Sequence, residues 1–92
     1  MSVSPFAPYA GCDVIIDTGT PHLTYLGRLQ EITENAIVLR DADVHDMRDS
    51  KTPREVYVME SKKFGIKANR KEVRLRADQV VSMTRLDDIV IY

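Results

Sequence analysis

Residues 13–42 hold three runs of strand-like pattern joined by connections of only a few residues, and connections that short link antiparallel neighbours. A parallel crossover needs a dozen residues or more, so the segment is restricted to a meander. The first run is Asp13 to Asp17 (DVIID), closed by Thr18-Gly19-Thr20-Pro21. In the second, Leu23, Tyr25, Gly27 and Leu29 alternate with Thr24, Leu26, Arg28 and Gln30, the period of a strand. Gly27 sits inside that run, where glycine marks a sharp bend or a close backbone approach. Thr33-Glu34-Asn35 forms a tight turn, and Ala36 to Ala42 (AIVLRDA) is the third strand.

The pattern then changes. Residues 43–71 read as an insertion with one helix over about 53–64. Thr52 is placed to cap it, Pro53 suits its first turn, and Glu55 completes a capping box. Lys62-Lys63-Phe64-Gly65-Ile66 reads as its end: lysines complement the dipole, Gly65 takes the left-handed conformation, and Ile66 packs back. Tyr57 and Phe64 share one face, with Ser61 between them. The competing reading is a strand through Val56-Tyr57-Val58, but the agreement of both end signals favours helix. Glu72 to Arg76 (EVRLR) and Val80 to Met83 (VVSM) follow as two further strands, broken at Ala77-Asp78-Gln79. Residues 1–11, with Pro5, Pro8 and Gly11, form an arm that Phe6 and Tyr9 can pin to the body. The apolar tail, Ile89 to Tyr92, needs cover from the same barrel or from a second copy.

Ninety-two residues suffice for one domain, residues 1–92, with a thin core. The fold class expected is mainly β: a five-stranded small barrel with one helix inserted between its third and fourth strands. No apolar run approaches the ~20 residues of a membrane span, and no secretory leader is recognisable, so a cytosolic location is expected. A single cysteine, Cys12, excludes an intramolecular disulfide framework and has no activating basic neighbour in sequence. Asp41, Asp43 and His45 recur every second residue, with Asp46 and Asp49 nearby, a spacing that offers oxygens and one imidazole to a divalent cation. The simpler reading is the charged, solvated end of a strand. Neither a nucleophile elbow nor a Gly-rich phosphate loop is present. An enzyme is not expected, nor are a cofactor, a metal, a membrane or a small-molecule substrate.

Charge is unevenly spread. The net charge is −1, but residues 1–50 carry −5, residues 51–76 carry +6 and residues 77–92 carry −2. Such a basic block is either a solvated face or a surface for phosphates and acidic partners.

The strand order and corner residues resemble the Sm/LSm superfamily, which includes bacterial Hfq. The stretch VIID…YLGRLQEITENAIVLRDA is similar to the first motif of that family, with Gly27 on the motif glycine and Leu29, Ile32, Ala36, Val38 and Leu39 on apolar positions. LRADQVVSM, residues 75–83, is similar to the second, with Arg76, Asp78 and Val80 matching and Ala77 in place of a glycine. Family membership implies an SH3-type barrel whose edge strands pair between copies into a homo-oligomeric ring, a hexamer or heptamer. It also implies single-stranded RNA as the partner, held between the second turn and the late corner.

Several positions depart from the family pattern. The stacking and base-contacting positions fall on Asn35 and Ile37, Thr33 replaces the motif aspartate, and the Lys-His pair of Hfq has no counterpart. Arg76 keeps the corner chemistry. The expected RNA contacts are therefore Arg76 and Asn35, together with the basic insertion: Lys62, Lys63, Lys67, Arg70 and Lys71, with Lys51 and Arg54 at its start. The insertion would touch phosphates without reading sequence. The alternative is a structural or protein-interaction module that keeps the barrel and the ring without binding nucleotides.

Overall fold

The computed structural model describes residues 4–91. Five strands, β1 (Asp13–Thr18), β2 (Leu23–Ile32), β3 (Ala36–Asp46), β4 (Arg70–Arg76) and β5 (Val80–Arg85), form one antiparallel sheet in the order β4-β3-β2-β1-β5. One helix, α1 (Arg54–Phe64), lies between β3 and β4. This is the mainly β arrangement with an inserted helix that the sequence implies.

Buried side chains of β1 (Val14, Ile16), β2 (Leu29) and β3 (Ile37, Leu39, Ala42) form one cluster. Val73 and Leu75 of β4 and Val80 and Met83 of β5 pack against it. Apolar positions from all five strands meet in one interior, so the sheet curls into a small open barrel. β4 and β5 stand at its two ends as edges, joined by a single 3-10 turn, Ala77–Gln79.

The curl is concentrated where Gly27 faces β3. A Cβ built on Gly27 would lie 3.1 Å from the Ala42 Cβ and 3.2 Å from both the Ala42 Cα and the Arg40 carbonyl oxygen. The β2–β3 register shifts here, between Leu26 and Arg28, and Asp41 opposite takes a positive φ of 50°. The close approach expected at this glycine is present.

A second core lies on the other face of the sheet. Ile15 of β1 and Leu26 of β2 cluster with Val58 of α1 and Leu86, while Tyr57, Ile66 and Ile89 pack around them. This explains the unbroken apolar run Val14-Ile15-Ile16: a strand buried on both faces does not alternate. Helix α1 is therefore a lid on the outside of β1 and β2. The tail is partly covered from within the chain, through Leu86 and Ile89, while Val90 and Ile91 stay exposed; Tyr92 lies outside the described residues.

The helix start differs from the expected capping box. Pro53 occupies the N-cap position without any side-chain cap. The Thr52 N–H is bonded to the Ser50 hydroxyl at 3.1 Å, and Glu55 accepts from Arg54 at 2.8 Å. The arginine outcompetes the cap because it is already anchored: its guanidinium also donates to Asp17 of β1 at 2.6 Å, tying the helix start to the sheet. At the other end Gly65 takes a positive φ of 92°, but its ψ of 164° is extended rather than the left-handed helical value expected, and its N–H bonds to the Ser61 carbonyl at 2.9 Å; Ile66 joins the second core. Of the arm, residues 1–3 lie outside the described residues, and the rest is pinned at the two aromatic side chains expected. Phe6 and Tyr9 pack on the barrel core, and Arg85 lies over the Tyr9 ring at 5.3 Å while donating to the Pro8 carbonyl at 2.7 Å.

Candidate nucleic-acid interface

The turn between β2 and β3 is closed by Thr33. Its N–H donates to the Ala36 carbonyl at 2.8 Å, and its hydroxyl accepts from the Ala36 N–H at 3.0 Å. A hydroxyl thus closes the turn at the position where the family pattern has a carboxylate. Asn35 then offers its carbonyl to the Ala77 N–H at 2.9 Å. Because Ala36 is also the ladder partner of Arg76, the turn and the late corner are one continuous surface. Two segments some forty residues apart in sequence meet here, with the side chains of Asn35 and Arg76 both exposed.

Arg76 is not free. Its guanidinium donates to Asp78 at 2.7 Å, with the two side chains 76% and 60% exposed. An exposed pair of this kind is worth only about 0–1 kcal/mol, so a phosphate can displace the carboxylate at little cost. Ile37 points elsewhere: it is fully buried in the barrel core, opposite Leu75.

The basic insertion is not part of this surface. Arg70 pairs with Ala42 at the opposite end of β4 from Arg76, and six residues of strand at about 3.3 Å each separate the two by roughly 20 Å. Within the insertion the cations differ. Lys62 donates to the carbonyls of Asp87 (2.8 Å) and Ile89 (2.6 Å), so it ties the tail to α1 and is committed as a structural strut. Arg54 is held by Asp17 and Glu55. Lys63, Lys67 and Lys71 are exposed and in no ion pair among the described residues, and Arg70 donates only to the Asn69 carbonyl at 3.0 Å.

Replacing Lys62 tests this division. Lys62→Gln is expected to destabilise the chain by about 1–2 kcal/mol and to speed amide exchange at Ile89, whose N–H bonds to the Leu86 carbonyl at 3.2 Å. Unaltered protection at Ile89 would contradict the strut.

The acid-rich end of β3 is built from separate contacts. Asp41 bulges out to Arg28 at 3.5 Å. Asp43 is buried and accepts from the Asn69 side-chain amide at 3.0 Å; burial raises its pKa, against the opposing pull of His45. Hydrogen bonds from the Arg48 side chain and backbone N–H hold Asp46 down to about 2. His45 stacks on Tyr57 of α1, with ring centroids 3.9 Å apart and planes 15° from parallel.

That stack borders a feature the sequence did not reveal. An open cleft lies at the last turn of α1, lined by Tyr57, Glu60, Ser61, Phe64, Gly65 and Lys67. Phe64 is 78% exposed. The clue in the sequence is its position directly before Gly65: a helix that stops there gives its last residue no following turn to pack against.

No family model and no curated protein matches the chain. Among solved structures it is similar to the Sm protein of Pyrococcus abyssii in complex with a uridine heptamer, with a TM-score of 0.59 and 16% sequence identity over 90% of this chain and 99% of that one. At that identity the likeness concerns the backbone, and with the sheet order and the late corner it identifies the fold of this chain as Sm-like.

Proposed function

We propose that the chain binds single-stranded RNA as a ring of identical copies, through Asn35 and Arg76 of the joined turn and corner. The observation that supports this reading is the hydrogen bond from the Ala77 N–H to the Asn35 backbone carbonyl, which joins the two segments that carry the exposed Asn35 and Arg76 side chains. The archaeal Sm protein of like fold, solved with a uridine heptamer, supports it. The ring is supported by the edges: β4 and β5 end the sheet, and Val81 on β5 is 71% exposed. Open edges of this kind are covered by pairing, and head-to-tail pairing closes when the rotation per copy permits. In such a ring Arg76 recurs once per subunit, so weak individual contacts combine.

Fluorescence anisotropy with short U-rich and A-rich RNAs tests the binding, and light scattering tests the assembly. Wild type should saturate at low salt and weaken steeply as salt rises. Arg76→Ala should lower affinity about tenfold or more while leaving the melting temperature within a degree or two, since its ion pair is exposed. A hexamer or heptamer that binds no RNA at low salt would favour the interaction module instead, a reading that the burial of Ile37 supports. A monomer would overturn the ring.

A further inference from the structure

The cleft at the end of α1 differs in chemistry from the turn-and-corner surface and shares no lining residue with it. We infer that it is a second nucleotide site, taking a guanine base of a single-stranded RNA. The inference rests on the RNA-binding reading for its polymer, but not on the ring or on Arg76.

Two aromatic rings line the cavity. Tyr57 is fixed by its stack on His45, so its ring is preorganised and loses little freedom on binding. Phe64 is exposed to solvent and makes the opposite kind of wall, a ring with a free π-face. Nucleobases are the planar ligands that such faces hold in single-stranded recognition. A lone exposed phenylalanine would carry no meaning; an exposed one sharing a cavity with a clamped tyrosine does.

Charge decides between ligand classes. Aromatic walls with one carboxylate also suit a quaternary ammonium, but here the surroundings are cationic. Lys67 lines the cavity and Lys63 precedes Phe64, with Arg70 and Lys71 a few residues on, and none of the four is in an ion pair among the described residues. A cation would be repelled, whereas a base carrying its own phosphates is attracted.

The one acid sets the base. Glu60 is exposed, unpaired among the described residues, and accepts hydrogen bonds only. The Ser61 hydroxyl is already donated to the Tyr57 carbonyl at 3.0 Å, so it does not compete. Guanine presents two adjacent N–H donors on its pairing edge and can satisfy both carboxylate oxygens. Adenine and cytosine offer an amino group beside an acceptor. Uracil offers one N–H flanked by two carbonyls that a carboxylate repels. The expected order is guanine first and uracil last.

The test uses the full chain and three labelled hexamers, oligouridine, alternating UG and alternating UA, in anisotropy titrations. Wild type should bind the UG hexamer about tenfold tighter than oligouridine. Phe64→Ala should abolish that advantage without changing oligouridine affinity. Glu60→Gln should erase the preference for UG over UA. Equal wild-type affinity for all three hexamers, or a Phe64→Ala loss equal across them, overturns the site. If oligouridine does not bind and the UG hexamer does so through Phe64, the cavity stands and the turn-and-corner reading falls. If nothing binds, both fall.

Discussion

Gly27→Val is expected to lower the stability of the chain by about 2–3 kcal/mol, a melting-temperature loss of roughly 10–20 °C for a domain this size. The cause is backbone proximity. Even the first carbon of a side chain would meet the Ala42 Cβ at 3.1 Å and the β3 backbone at 3.2 Å, and valine adds two methyl groups beyond it. β3 has little room to retreat, because Asp41 beside the contact already sits at φ 50° and Ala42 packs into the barrel core. Gly27→Ala is the milder case, its cost set by how far Ala42 can yield. The check is a double-mutant cycle with Ala42→Gly, which deletes the nearest contact. Thermal unfolding should show Ala42→Gly relieving part of the Gly27→Val loss, a coupling of at least about 0.5 kcal/mol. Strictly additive losses would mean that Gly27 is needed for some reason other than this approach.

The Gly27 contact is legible in the sequence because its cause is local: a glycine inside an alternating strand marks a bend or a close backbone approach, and here it is both. The same holds for the C-terminal end of α1 and the turn at Thr33, where short-range chemistry fixes the backbone. Features that depend on which elements meet are not legible in the same way. Val14-Ile15-Ile16 points to burial on two faces, but nothing in the order of residues says that α1 supplies the second cover. The capping box expected at Thr52 and Glu55 gives way to an arginine anchored on β1, a partner far away in the chain. Lys62 looks like its neighbour Lys63, and only the path of the tail distinguishes a strut from a free cation. Arg70 and Arg76 belong to one basic block in the sequence, and strand geometry sets them at opposite ends of β4. Asn35 and Arg76 are the converse, distant in the chain and brought together where the β3–β4 ladder ends at Ala36 and Arg76 and the Ala77 N–H bonds to the Asn35 carbonyl. No local pattern links those two residues, and only the family resemblance puts them together.

The two cores should also come apart experimentally. Val58 is 1% exposed and faces Ile15, Leu26 and Leu86, so Val58→Asp places a carboxylate among apolar side chains, and Lys62, one turn further along α1, is already committed to the Asp87 and Ile89 carbonyls. Keeping it there would cost several kcal/mol, a large share of the roughly 5–14 kcal/mol a domain of this length has in total. The chain has a cheaper response, because α1 touches only the outer face of the sheet. Releasing the helix lets the carboxylate reach water and forfeits the second core, while Val14, Ile16, Leu29, Ile37 and Leu39 remain packed inside the barrel. An eleven-residue helix does not persist alone in water. Circular dichroism should therefore lose its helical component and keep its sheet component, and amides of α1 should lose exchange protection while those of Ile16 and Leu39 keep theirs. Oligouridine binding should survive, since the turn and corner lie on the barrel, and any advantage of the UG hexamer should vanish with the Tyr57 wall. Loss of sheet and helix together in one transition would show instead that the barrel cannot hold without its lid, and that the outer core is part of what closes the sheet.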